Sequence, residues 1–184
     1  MAKTSKLIVL DRDGVINHDS ENYIKTPEEW RPLNGSLDAI AALTAGGFRV
    51  VVVSNQSGIG RGLFSEAVLD AIHRKMTSAV EAAGGAIAGI YYCPHAPDDG
   101  CHCRKPRPGL LERIKDDFGV SLSKIPLIGD KVADMALARR VGARPILVLT
   151  GYGQATLASL NDTEGETFSD LASAASALLG ERGE

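Results

Sequence analysis

Positive charge is too scarce in this sequence for a nucleic-acid binder. Lys and Arg number 20 against 23 Asp and Glu, a formal charge of −3, whereas a phosphate backbone calls for a basic face. Long apolar runs are also missing. No stretch approaches the ~20 residues of a membrane span, and the polar first six residues lead straight into a short strand-like run. No secretory leader is therefore expected, and the cytoplasm is the expected compartment. Aromatic residues make up only 5% of the chain, against 44% hydrophobic residues in all. The core must then be built from Val, Ile, Leu and Ala. Cysteine is limited to three residues, at positions 93, 101 and 103. An odd number packed so closely is a poor disulfide framework and suggests a metal site.

What is present is an alternation. Short apolar or β-branched runs at 6–10, 49–53, 88–92, 125–128 and 145–149 read as strands. Helical spacing covers 36–46, with Ser36 as its cap, 65–83, with Ser65 as its cap, 108 to about 118, 134–141 and 169–179. Thr26-Pro27-Glu28-Glu29 with Trp30 read as a short capped helical turn, and 151–168 as a polar, glycine-rich loop. Strands alternating with helices predict a single α/β domain over 1–184, a parallel sheet covered on both faces. Ligands of such folds bind beyond the carboxyl ends of the strands. Asp11-Arg12-Asp13-Gly14, Ser54-Asn55 and Gly129-Asp130 all fall there. Each alone reads equally well as a turn or cap, but the fold gathers all three into one crevice.

Asp11 and Asp13 can divide nucleophilic attack and proton transfer. Asp130 adds a third carboxylate, and three hard anionic groups suit Mg²⁺. Lys105 and Ser54 add donors for phosphate oxygens. Phosphoryl transfer needs little beyond a positioned nucleophile and charge stabilisation. Separately, Cys93-Pro94-His95 and Cys101-His102-Cys103 offer three thiolates and an imidazole for a closed, structural Zn²⁺ site, with Cys93, His95, Cys101 and Cys103 as ligands and His102 pointing away. The loop has little apolar content, so metal ligation would order it and aim the adjoining Arg104 and Lys105.

The four signals, in order, resemble the motifs of the haloacid dehalogenase (HAD) superfamily: Asp11-Arg12-Asp13-Gly14-Val15, Ser54, Lys105, and Gly129-Asp130 with Asp134. The resemblance spans residues 7 to about 150. It implies an HAD-like doubly wound sheet and a covalent aspartyl-phosphate on Asp11, with Asp13 protonating the leaving oxygen and then activating water. It implies Mg²⁺ on Asp11, the main-chain carbonyl of Asp13, and Asp130, with Asp134 behind them. No insert of domain size separates the motifs, so no large cap is expected. A hydrolase is favoured over a phosphotransferase, which usually carries such a cap, and over an inactive binding module, which would have lost a motif carboxylate.

Two families within the superfamily carry a similar cysteine loop. Ser54-Asn55-Gln56-Ser57-Gly58-Ile59-Gly60-Arg61-Gly62 is similar to the heptose-1,7-bisphosphate 7-phosphatases. The short interval between His95 and Cys101 resembles the histidinol-phosphate phosphatases instead. The first resemblance is preferred and implies a sugar bisphosphate as partner, within a bacterial nucleotide-heptose pathway feeding lipopolysaccharide or another glycan. It further implies substrate contacts from Arg104, Lys105, Ser54, Asn55 and Lys131, and a flap from Asp19 to Tyr23 over the sugar. Arg61 reads equally as a solvated charge or a contact. A monomer is the default expectation.

Overall fold

The computed structural model describes residues 6–160 and 165–181. Strands β1 (Lys6–Leu10), β2 (Phe48–Asn55), β3 (Ile87–Cys93), β4 (Pro126–Gly129), β5 (Arg144–Val148) and β6 (Glu166–Phe168) form one sheet. Its order is β3-β2-β1-β4-β5-β6, and every pairing is parallel. Helices α1 (Ser36–Ala45), α2 (Ser57–Gly60), α3 (Glu66–Ala82), α4 (Gly109–Phe118), α5 (Val132–Val141) and α6 (Gly153–Ser159) lie between the strands, and α7 (Leu171–Gly180) follows β6. This is the expected doubly wound architecture. Its strand order reverses at β1, so the crevice falls where β1 meets β2 and β4.

The alternation of side chains along a strand divides the core in two. Ile8, Leu10, Val50 and Val52 face a layer with Trp30, Ile40, Ile72 and Met76. Leu7, Val9, Val51 and Val53 face the other layer, with Leu111, Ile114 and Leu137. Both faces of β1 and β2 are thus dry, as their unbroken apolar runs predicted. Among the described residues no helix is long and apolar enough to cross a membrane.

Two expectations are corrected. Ser36 is not the cap of α1: Gly35 holds that position in a left-handed conformation, φ +75°. Ser36 is instead the first helical residue, buried, and its hydroxyl donates to the Ile16 carbonyl at 2.6 Å. A hydroxyl aimed at that carbonyl satisfies a buried loop acceptor, which outweighs a cap that glycine geometry already supplies. Residues 151–168 are not a loop throughout, since they contain α6 and β6. Arg144 fastens β6, its guanidinium bonding both oxygens of Glu166 at 2.5 and 2.7 Å and both of Glu181 at 2.9 and 2.6 Å. Ser65 does cap α3, accepting from the Val68 amide. Pro27–Glu29 forms the expected short turn, without a side-chain cap.

Candidate active site

The crevice is a cavity of about 360 Å³, with Asp11, Asp13, Ser54, Lys105 and Asp134 among its lining residues. Asp11 leaves the end of β1, its amide bonded to the Ile128 carbonyl of β4 at 2.9 Å. Its own carboxylate accepts from the Arg12 amide at 2.7 Å. Lys105 is buried beside it, with Nζ 2.9 Å from Asp11, 2.7 Å from Asp134 and 3.1 Å from the Val53 carbonyl. Burial opposes ionisation of Asp11, but the charges of Lys105 and Lys131 more than offset it and hold the carboxyl below its ordinary range. Asp11 is thus held as the anion, the form a carboxylate needs for attack.

Asp130, just past the end of β4, is fully buried. Two glycines make room for it. A Cβ on Gly14, where φ is +87°, would lie 2.0 Å from Asp130 Oδ2, and one on Gly151 would lie 2.3 Å from the same atom. The Tyr152 amide donates to that oxygen at 2.8 Å. The other oxygen receives a long 3.4 Å contact from Lys131. Burial, followed by the Asp11 charge, pushes the Asp130 carboxyl up to about 7. Carboxylate oxygens of Asp11, Asp130 and Asp134 lie within 4.8 Å of one another. Asp134 is committed to Lys105 and to the Lys131 amide, at 2.7 and 3.1 Å. Asp11 and Asp130 therefore keep oxygens for a hard divalent cation, and the excess of buried negative charge fits one.

Asp13 meets a ring of donors. Arg12 Nε and Nη2 reach its two oxygens at 3.0 and 3.1 Å, Asn17 Nδ2 reaches it at 2.9 Å, and Gln56 Nε2 at 3.0 Å. Gln56 also donates to Ser54 Oγ at 2.6 Å, leaving that hydroxyl proton free for a ligand. Asn55 does not face the crevice with a free amide. Its side chain brackets the Lys105 backbone, donating to the carbonyl at 3.2 Å and accepting from the amide at 3.0 Å. It thereby ties the end of β2 to the cysteine loop. One nitrogen of Arg104, Nη1, is buried with no partner, a donor awaiting an acceptor. Lys131 reaches Asp19 at 2.8 Å, linking the segment after the first motif to the carboxylate cluster. Tyr23, in the same segment, adopts a left-handed conformation, φ +65°, and lines the crevice. Arg61 is exposed.

Behind Lys105, the Cys93, His95, Cys101 and Cys103 ligand atoms form a single group. Cys93 Sγ lies 3.5 Å from both His95 Nδ1 and Cys101 Sγ, and His95 Nδ1 lies 3.2 Å from Cys103 Sγ. Zn–S and Zn–N bonds of ~2.3 and ~2.1 Å give a tetrahedron with edges near ~3.6 Å, so the four atoms fit one ion. His102 turns outward to Glu112, at 2.7 Å.

Arg12, Asn17, Gln56 and His73 belong to the site without having been expected there. His73 Nε2 is 3.3 Å from Arg12 Nη1. In the sequence, Arg12 and Gln56 lie within the matched runs beside Asp13 and Ser54, whereas nothing there marked Asn17 or His73.

A buried anionic aspartate at the switch point, a buried lysine beside it, and a carboxylate pair open to a hard cation define a phosphatase of the HAD class. A family model described as HAD-hydrolase-like matches residues 102–174. The D-glycero-β-D-manno-heptose-1,7-bisphosphate 7-phosphatase of Pseudomonas aeruginosa is 50% identical over 94% of this chain and 97% of its own length. Its Escherichia coli K12 counterpart is 39% identical over 82% of this chain and 83% of its own. The crystal structure of the Bordetella bronchiseptica D,D-heptose 1,7-bisphosphate phosphatase, complexed with magnesium and phosphate, superposes with a TM-score of 0.93 at 48% identity, covering 96% of this chain and 99% of that one. The chain belongs to this family of heptose-bisphosphate phosphatases within the HAD hydrolases.

Proposed function

We propose that the chain removes the 7-phosphate of D-glycero-β-D-manno-heptose 1,7-bisphosphate, by way of an aspartyl-phosphate on Asp11. The observation that carries the reading is the Lys105–Asp11 pair, 2.9 Å apart on the crevice floor. Relatives bearing that activity, 50% identical over nearly the whole chain, support the substrate. An Asp11 oxygen attacks the phosphorus as its bond to the C7 oxygen breaks. Asp13 gives that oxygen a proton. Asp13 then takes a proton from water, which attacks the phosphorus and frees Asp11 as phosphate leaves. Ser54 Oγ keeps its proton for a transferring oxygen, the Lys105 charge beside Asp11 would offset the charge of the phosphate, and Arg104, which lines the crevice, would meet the outer part of the substrate.

Asp11, the Asp13 carbonyl and Asp130 would hold magnesium. A bound divalent ion neutralises phosphate oxygens and offsets the mutual repulsion of the carboxylates. Cys93, His95, Cys101 and Cys103 would hold zinc, fastening the loop that carries Arg104 and Lys105. A cytoplasmic monomer acting on a free sugar phosphate belongs to the same proposal.

Phosphate release from heptose 1,7-bisphosphate and from histidinol phosphate, side by side, tests the substrate. The second compound is the proper rival because the five residues between His95 and Cys101 resemble those enzymes. A clear preference for the bisphosphate is expected, and preference for histidinol phosphate would overturn the reading.

A further inference from the structure

Helix α3 buries Leu69, Ile72, His73, Met76 and Val80, a stripe at helical spacing in which one member is polar. Burial, then the Arg12 charge, lowers the His73 imidazole to about 3, so the ring is neutral in use. Arg12 Nη1 lies 3.3 Å from His73 Nε2. A guanidinium nitrogen can only donate, so Nε2 is the acceptor. Arg12 is itself completely buried. Its remaining nitrogens, Nε and Nη2, are the ones that reach Asp13. All three guanidinium nitrogens thus have partners, and the one that faces away from Asp13 is held by the helix.

Neighbouring residues in a turn do not by themselves hold such an arrangement. A long side chain has many rotamers, and something outside the turn must select one. Asn17 and Gln56 fix Asp13 from the loop and from the end of β2. His73 fixes Arg12 from a third element. We propose that His73 is a positioning residue of the phosphatase reaction: by accepting from Arg12, it locks the guanidinium that holds the Asp13 carboxylate for proton transfer. This rests on the reading of Asp13 as proton donor.

The test separates a proton-transfer role from a packing role. The alkoxide leaving from a sugar phosphate needs a proton from Asp13, whereas 4-nitrophenolate leaves without one. The ratio kcat/KM covers the steps through departure of the leaving group. It is to be measured on heptose 1,7-bisphosphate and, at high enzyme concentration, on 4-nitrophenyl phosphate. His73→Leu should lower the first about tenfold and leave the second within about twofold. His73→Gln, whose amide oxygen can take the place of Nε2, should restore most of the loss. If His73→Leu does not fold, His73→Asn, too short to reach Arg12, replaces it. Asp13→Asn serves as reference. If Asp13→Asn shows no selective loss on the sugar phosphate, the proton-donor reading fails. If Asp13→Asn is selective but the His73 variants lose both activities equally, or lose neither, the role of His73 alone is refuted.

Discussion

Lys105 Nζ lies 2.9 Å from Asp11 Oδ1, and each side chain is only 5% exposed. Two charges taken so far from water stay ionised only because they face each other. Burial works against the charge on Lys105, and Asp11 and Asp134 more than restore it. Removing one partner of a buried pair leaves the other uncompensated, typically at ~3–5 kcal/mol. Lys105→Met should therefore unfold at a lower temperature and release phosphate at least ~100-fold more slowly. A thermal melt and a steady-state assay check both effects. Unchanged turnover would separate Lys105 from the reaction.

Gly14 is the point where the turn after β1 touches Asp130. Its φ is +87°, and a Cβ at this position would come within 2.0 Å of Asp130 Oδ2, which leaves no room for alanine. Gly14→Ala should displace Asp130 and weaken magnesium activation by roughly 10–100-fold, the usual range when a ligand loses its support. A magnesium titration of activity measures this, and an unaltered midpoint would contradict it.

The cysteine loop should behave as a single metal-held unit. Cys101→Ala removes one of four ligand atoms from a group that fits one ion. Loss of bound zinc by elemental analysis, with easier proteolysis of the loop, is expected. Full retention of zinc would refute the ligand set.

His73 gives stability an acid limit. Its folded pKa is lowered to about 3 from 6.5, so between those values the unfolded chain binds a proton that the folded chain refuses. Stability is then complete above about pH 6.5 and falls as pH drops toward 3, by up to about 1.4 kcal/mol per pH unit. His73→Gln should flatten that slope in denaturant titrations from pH 6.5 to pH 4. An identical slope in the variant would show that other groups set the acid limit.

Much of this site was legible in the chain. Asp11, Ser54 and Asp130 each follow an apolar strand, and a parallel sheet leaves such residues at one end. The cysteine cluster was legible for a related reason, since its four residues are close in sequence. The support of Asp13 was not. Arg12, Gln56 and His73 come from three elements, and nothing in local spacing reveals which buried polar groups meet. Ser36 was misread because capping statistics do not know that the Ile16 carbonyl needs its hydroxyl. The helix and strand within 151–168 escaped notice for a similar reason. β6 is three residues long and is fastened by Arg144, a partner 22 residues away from Glu166.

The central role assigned to Asp11 is to accept the phosphate from carbon 7. Phosphorus NMR of heptose 1,7-bisphosphate, incubated with magnesium and either the wild-type chain or Asp11→Asn, tests it most directly. The wild type should remove the C7 phosphate resonance and spare the anomeric one, while Asp11→Asn leaves both intact. Loss of the anomeric phosphate first, or undiminished hydrolysis by Asp11→Asn, would contradict that role.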